Sequence, residues 1–192
     1  MMIAARWHYH LARFFDFLEW KARAIEELRK AQSLDPAYAP AAQALAYLYA
    51  ATGRNDLAIA QFRNALALAP QDADTWFNLG FVHHERQEHG EAIAAFERAV
   101  ALSPSLDRAW YGMGLALRSL GRLEEATVAL EKAGKLQPMN PHAWYELAMT
   151  YYALKRHDKV HQMIEYLNGF DPKMTMQLMR DTPDRGGPAA QR

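Results

Sequence analysis

Five prolines divide the chain at one interval. Pro36, Pro70, Pro104, Pro138 and Pro172 each stand 34 residues after the one before. Trp76, Trp110 and Trp144 keep that interval, as do Ala24, Ala58, Ala92 and Ala126, with Val160 next in line. Leu28, Phe62, Phe96, Leu130 and Ile164 form another ladder, and Leu11, Leu45, Leu79, Met113 and Leu147 a further one. A fixed period of this length marks a tandem array of one supersecondary unit, which cannot bury its apolar face alone and relies on its neighbours. The units fall at residues 5–38, 39–72, 73–106, 107–140 and 141–174.

Within a unit the apolar spacing is helical. Trp110, Met113, Gly114 and Leu117 recur as one face of a helix, and after the break at Gly121-Arg122 so do Leu123, Ala126, Leu130 and Ala133. Glu124 and Glu125 open the second stretch, where the helix dipole favours carboxylates. The proline closes each unit, because its ring cannot continue a helix. The spacing therefore predicts an all-α chain of helix A, turn, helix B, turn, repeated five times over residues 1–181. A short capping helix is expected at about 173–181, and Thr182–Arg192, with its prolines and glycines, as a disordered tail. Small residues at Ala12, Ala46, Gly80, Gly114 and Ala148 let neighbouring helices approach closely.

These residues resemble the tetratricopeptide repeat (TPR) family. The third unit reads Trp76-x-x-Leu79-Gly80-x-x-His83, then Ala92-x-x-x-Phe96 and Pro104. The fourth and fifth keep Trp110, Gly114, Ala126 and Pro138, and Trp144, Leu147, Ala148, Tyr151 and Pro172. The second has Ala42 in the Trp place, and the first has His8 there and Glu19 where a glycine is common. The resemblance implies a right-handed α-solenoid whose concave face, lined by the A helices, receives a peptide segment or amphipathic helix of another protein.

On that family geometry the groove positions include Tyr9, Arg13, Tyr47, Phe77, Asn78, Phe81, Arg108, Tyr111, Arg118, Tyr145 and Tyr152. Aromatic and arginine side chains are the usual anchors of interfaces. Asn78 offers both a donor and an acceptor to a peptide backbone, and Arg108 and Arg118 suit a carboxylate. A clamp for a C-terminal carboxylate does not fit, because Gln43, Tyr47 and Gly112 replace the residues it needs.

Lys+Arg and Asp+Glu balance at 22 each, so the chain lacks the basic footprint of a nucleic-acid binder. No cysteine is present, which removes disulfides, thiolate metal sites and a cysteine nucleophile. His83/His84 and His157/His161 lack the third ligand that a zinc site requires. No nucleophile–base pair and no phosphate-binding glycine loop occurs, so the expectation is a non-enzymatic module without cofactor or metal. No apolar run approaches the roughly 20 residues of a membrane span, and Arg6, His8 and Arg13 break the N-terminal stretch. The compartment expected is the cytoplasm, a leader already removed being left open.

A second expectation concerns the first unit. Trp7, Phe14, Phe17 and Trp20 give it more apolar surface than one stacking face needs, whereas terminal repeats normally turn a polar side outward. A self-associating scaffold, a homodimer through this surface, is the alternative to groove binding.

Overall fold

The computed structural model describes residues 2–183. Every regular element among them is an α-helix. Helices α1 (Met2–Phe17), α2 (Lys21–Leu34), α3 (Ala39–Ala51), α4 (Asn55–Leu68), α5 (Ala73–Glu85) and α6 (His89–Leu102) form one compact unit, which ends at Ser103. Helices α7 (Asp107–Ser119), α8 (Leu123–Leu136), α9 (Pro141–Ala153), α10 (His157–Asn168) and α11 (Pro172–Asp181) form a second, which begins at Pro104. Odd-numbered helices from α1 to α9 are the A helices, and each packs along the B helix that follows it. Helix α11 lies against α10 and α9, at the position expected of a cap. Of the expected tail, Thr182 is buried and its hydroxyl donates to the Leu178 carbonyl at 2.7 Å, while residues 184–192 lie outside the described residues.

The A-to-B turn is the same in all five repeats. One residue enters the left-handed region: Glu19 at φ 59°, Gly53 at 71°, Gln87 at 62°, Gly121 at 73° and Lys155 at 58°. The amide that follows it reaches back five residues to close the helix, as in Trp20 to Phe15 at 2.8 Å and Arg122 to Leu117 at 2.9 Å. This satisfies carbonyls that the end of helix A would otherwise leave unpaired. Glycine meets the left-handed requirement without cost in two repeats; in the other three a side chain is held there by the same paired bonds.

The tryptophan and proline ladders turn out to be two ends of one interaction. Trp76 Nε1 donates to the Pro70 carbonyl at 3.0 Å, Trp110 to Pro104 at 2.9 Å and Trp144 to Pro138 at 2.9 Å. A proline has no N–H to give, but its carbonyl accepts, so the indole ties the loop between units to the first turn of the next A helix.

In the first unit Leu28, Leu45, Phe62 and Leu79 share a core with Ala12, Ala24, Ala46 and Ala58. In the second, Leu130, Trp144, Leu147, Leu167 and Leu178 do the same work. The small-residue ladder is sterically required. A Cβ at Gly80 would sit 2.8 Å from the Phe96 ring, and one at Gly114 would sit 2.6 Å from Leu130 Cγ.

Candidate peptide-binding groove

Helices α1, α3 and α5 expose one continuous face within the first unit. A concavity of ≈ 430 Å³ is lined there by Tyr9, Arg13, Asp16, Gln43, Tyr47, Asp74 and Asn78. A second, of ≈ 370 Å³, is lined by Tyr47, Asn55, Phe62, Asn78, Phe81, Val82 and Glu85. Tyr47 and Asn78 belong to both, so the two are adjacent compartments of one channel. The first is polar and carries Asp16 and Asp74; the second is predominantly apolar. Both acids stand at groove-facing positions of the repeat.

The rings expected in the groove separate by position in the repeat. Tyr47 and Phe81, each the ninth residue of its unit, are 57% and 49% exposed. Tyr9 and Phe77, each the fifth residue, are half-buried. Tyr9 packs edge-on to Tyr38 at 5.5 Å, and Phe77 lies 5.9 Å from Phe96. Arg13 is exposed and donates to the Tyr9 hydroxyl at 3.3 Å. Gln43 donates to Thr75 Oγ1 at 3.1 Å and to the Asp72 carboxylate, which also accepts from the Thr75 amide at 3.0 Å as the cap of α5. That network fixes the floor between α3 and α5 and occupies Gln43.

In the second unit the fifth residues are again half-buried, but so are the ninth, Leu115 and Met149. Tyr111 and Tyr145, again fifth residues, pack against the core that contains Trp144 and Leu147. Burial pushes the Tyr111 phenol above its ordinary range. The Tyr145 hydroxyl donates to Asp181 at 2.6 Å, tying α9 to α11. Tyr152 is half-buried, edge-on to His157. Arg108 is exposed, whereas Arg118 is ion-paired with Glu146, which faces it from α9. Of the two arginines expected to hold a ligand carboxylate, Arg118 is thus engaged by a carboxylate of the chain itself.

Among the described residues no group of three or more histidine, aspartate or glutamate side chains comes together as a metal cluster. No helix among them is long and apolar enough to cross a membrane. His83 is buried, and its Nδ1 lies 2.6 Å from Glu88. His84 and His89 face each other with centroids 5.1 Å apart, and Nδ1 of each is buried without a hydrogen-bond partner. Burial, reinforced by His89 and opposed by Glu85, lowers the His84 pKa from its ordinary value. The folded state therefore favours neutral His84. Above about pH 6.5 both folded and unfolded chains hold it neutral; as pH falls below that value the unfolded chain takes the proton first and stability is lost, until the depressed native value is passed. Carboxylates such as Glu88, itself lowered by His83 and Arg86, titrate in a separate and more acidic window. Denaturant midpoints measured at about pH 7.5 and about pH 5.5 should fall with acidification, and His84→Gln should flatten the difference. An unchanged slope in His84→Gln would remove His84 as the cause.

The comparisons agree with the repeat. Tetratricopeptide repeat models match residues 5–38 and 44–107, and a TPR repeat model matches residues 114–155. No curated protein sequence matches the chain. Among solved structures, YrrB, described as a TPR protein with an unusual peptide-binding site, is 22% identical, with a TM-score of 0.79 over 90% of each chain. MamA from Desulfovibrio magneticus RS-1 is 20% identical, with a TM-score of 0.78 over 94% of this chain and 97% of that one. Pseudomonas aeruginosa PilF is 23% identical, with a TM-score of 0.76 over 92% of this chain and 83% of that one. At such identities the likeness concerns the fold, and the family models, the 34-residue ladders and the repeated turn all point the same way. The chain belongs to the tetratricopeptide repeat family.

Proposed function

We propose that the chain is a non-enzymatic protein-interaction module, and that its first unit receives a peptide segment of another protein along α1, α3 and α5. The observation that carries this reading is the pair of adjoining compartments, with Tyr47 and Phe81 standing exposed at the apolar one. Large rings left this exposed keep much of their surface for a partner, and such side chains supply most of the energy at protein interfaces. The compartment chemistry suits a segment that sets a basic residue against Asp16 and Asp74 and a large apolar side chain against Phe81. Asn78, at the border, is placed to pair with the backbone of that segment and so to set its direction. Tyr9, Arg13 and Phe77 complete this surface. Arg108, Tyr111, Arg118, Tyr145 and Tyr152 are proposed as a contact surface of the second unit. The peptide-binding site named for YrrB, on a similar fold, supports a ligand of this kind.

The test is a pull-down from native lysate with wild type beside Tyr47→Ala/Phe81→Ala, followed by titration of the captured protein. Each exposed ring is worth about 1–2 kcal/mol at an interface, so the pair should weaken binding by roughly tenfold or more with helicity unchanged. Equal retention of the same partner by both proteins would reject the groove.

A further inference from the structure

The N-terminal end of the first unit carries a surface that the groove reading does not use. In α3, α5 and α9 the third and tenth residues of the repeat are small or medium-sized and buried: Ala41 and Leu48 are 0% and 2% exposed, Thr75 and Val82 both 3%, Ala143 and Thr150 3% and 0%. Each of these helices lies against the B helix of the preceding repeat. The same two positions in α1 are Trp7 and Phe14, and they are 60% and 55% exposed. Two bulky rings thus replace the small residues that permit close stacking, on the face where stacking takes place. They would hold a TPR helix too far off for the usual packing.

The outward side of α1 has its own pattern. Ile3, Trp7, His10, Phe14 and Phe17 follow one another at spacings of four, three, four and three residues, and all are exposed. This is the seam of a two-stranded coiled coil: a narrow apolar stripe with one polar residue at its middle. Such a stripe is complementary to itself. We infer that α1 pairs with α1 of a second copy of the chain, burying Trp7, Phe14, Ile3 and Phe17 in an isologous dimer centred on His10.

Area bears on this occupant. With a large side chain exposing about 200 Å², the four apolar residues offer roughly 550 Å² per copy, against the about 800 Å² per partner of a standard interface, rim included. Arg6 borders the stripe and adds to that rim. The chain has zero net charge, so two copies do not repel at long range. Residues 184–192 contain no large apolar side chain and offer nothing to fill the stripe. Ile3 and Phe17 stand equally far from His10 in sequence, so parallel and antiparallel pairing both bring the two His10 side chains together.

The absence of cysteine makes the test clean. The full chain is sedimented over a range of micromolar concentrations beside Trp7→Gln/Phe14→Gln, whose substituted side chains are exposed and leave the helix core untouched. Wild type should shift from one copy to two with concentration, and the double variant should lose the dimer at unchanged helicity. In a second measurement, His10→Cys should form a disulfide-linked dimer in air, Lys132→Cys on the exposed side of α8 should not, and adding Trp7→Gln/Phe14→Gln should abolish the link. Tyr47→Ala/Phe81→Ala should stay dimeric, which separates this surface from the groove. A wild type that stays monomeric throughout, a double variant that associates like wild type, a mass that grows beyond two copies, or equal linking at both cysteine positions would each overturn the pairing.

Discussion

Replacing Trp144 by alanine should lower the stability of the second unit by about 3–5 kcal/mol, the range for deleting a buried aromatic side chain. Trp144 is 8% exposed and packs into the core with Leu130, Leu147 and Leu167. Its ring also lies against α8, where a Cβ at Gly134 would come within 2.7 Å of it, and 4.8 Å from Tyr166. Two contributions can be separated. Trp144→Phe keeps an aromatic ring but loses the indole N–H donated to Pro138, which should cost about 1 kcal/mol for the bond alone, with additional loss from the smaller ring. Urea unfolding followed by circular dichroism measures both. Repeat proteins need not unfold in one step, so the early transition is the one to compare. A loss below about 1 kcal/mol for Trp144→Ala would mean that the indole is dispensable to the core.

The second large effect concerns a residue whose replacement ought to help. Alanine is a better helix former than glycine by about 1 kcal/mol, so Gly80→Ala on an open helix face would stabilise. Here the new methyl would meet Phe96 Cδ1 and Cε1 at 2.8 Å and the Ala92 carbonyl oxygen at 3.1 Å. Phe96 is 1% exposed, and the carbonyl belongs to the α6 backbone. Overpacking of this kind costs about 1–3 kcal/mol, which exceeds the propensity gain. Net destabilisation is therefore expected in Gly80→Ala. Phe96→Leu, itself destabilising, should recover part of it in the double variant, because the two substitutions share one contact. Strict additivity of the two losses would show that Gly80 and Phe96 do not oppose each other.

The candidate site was legible to different depths. Helical periodicity puts Tyr47, Phe77, Phe81, Tyr111 and Tyr145 on one side of their helices, and that placement needs no coordinates. It does not distinguish the fifth residue of a repeat from the ninth. Both lie on the same face, one turn apart, and in the third repeat both are aromatic, Phe77 and Phe81. Which ring is covered depends on a neighbour remote in sequence: Phe96 beside Phe77, Tyr38 beside Tyr9, Asp181 above Tyr145. Tyr47 and Phe81 have no such cover and stay exposed. The pairing of Arg118 with Glu146 is hidden for the same reason, since 28 residues separate the partners.

The period, the helices and the positions of the ladders follow from sequence alone, because they depend on local geometry: the pitch of a helix, the ring of a proline, the size of a side chain. Even the exposed stripe of α1 was foreshadowed by its excess of rings. Other features arose only from tertiary structure. The adjoining polar and apolar concavities of the first unit, and the cover that Phe96 and Tyr38 give Phe77 and Tyr9, depend on which helices meet. A sequence specifies the face that each residue takes on its own helix. The tertiary structure decides what stands opposite that face, and so whether a ring is buried in the core or left exposed to a partner.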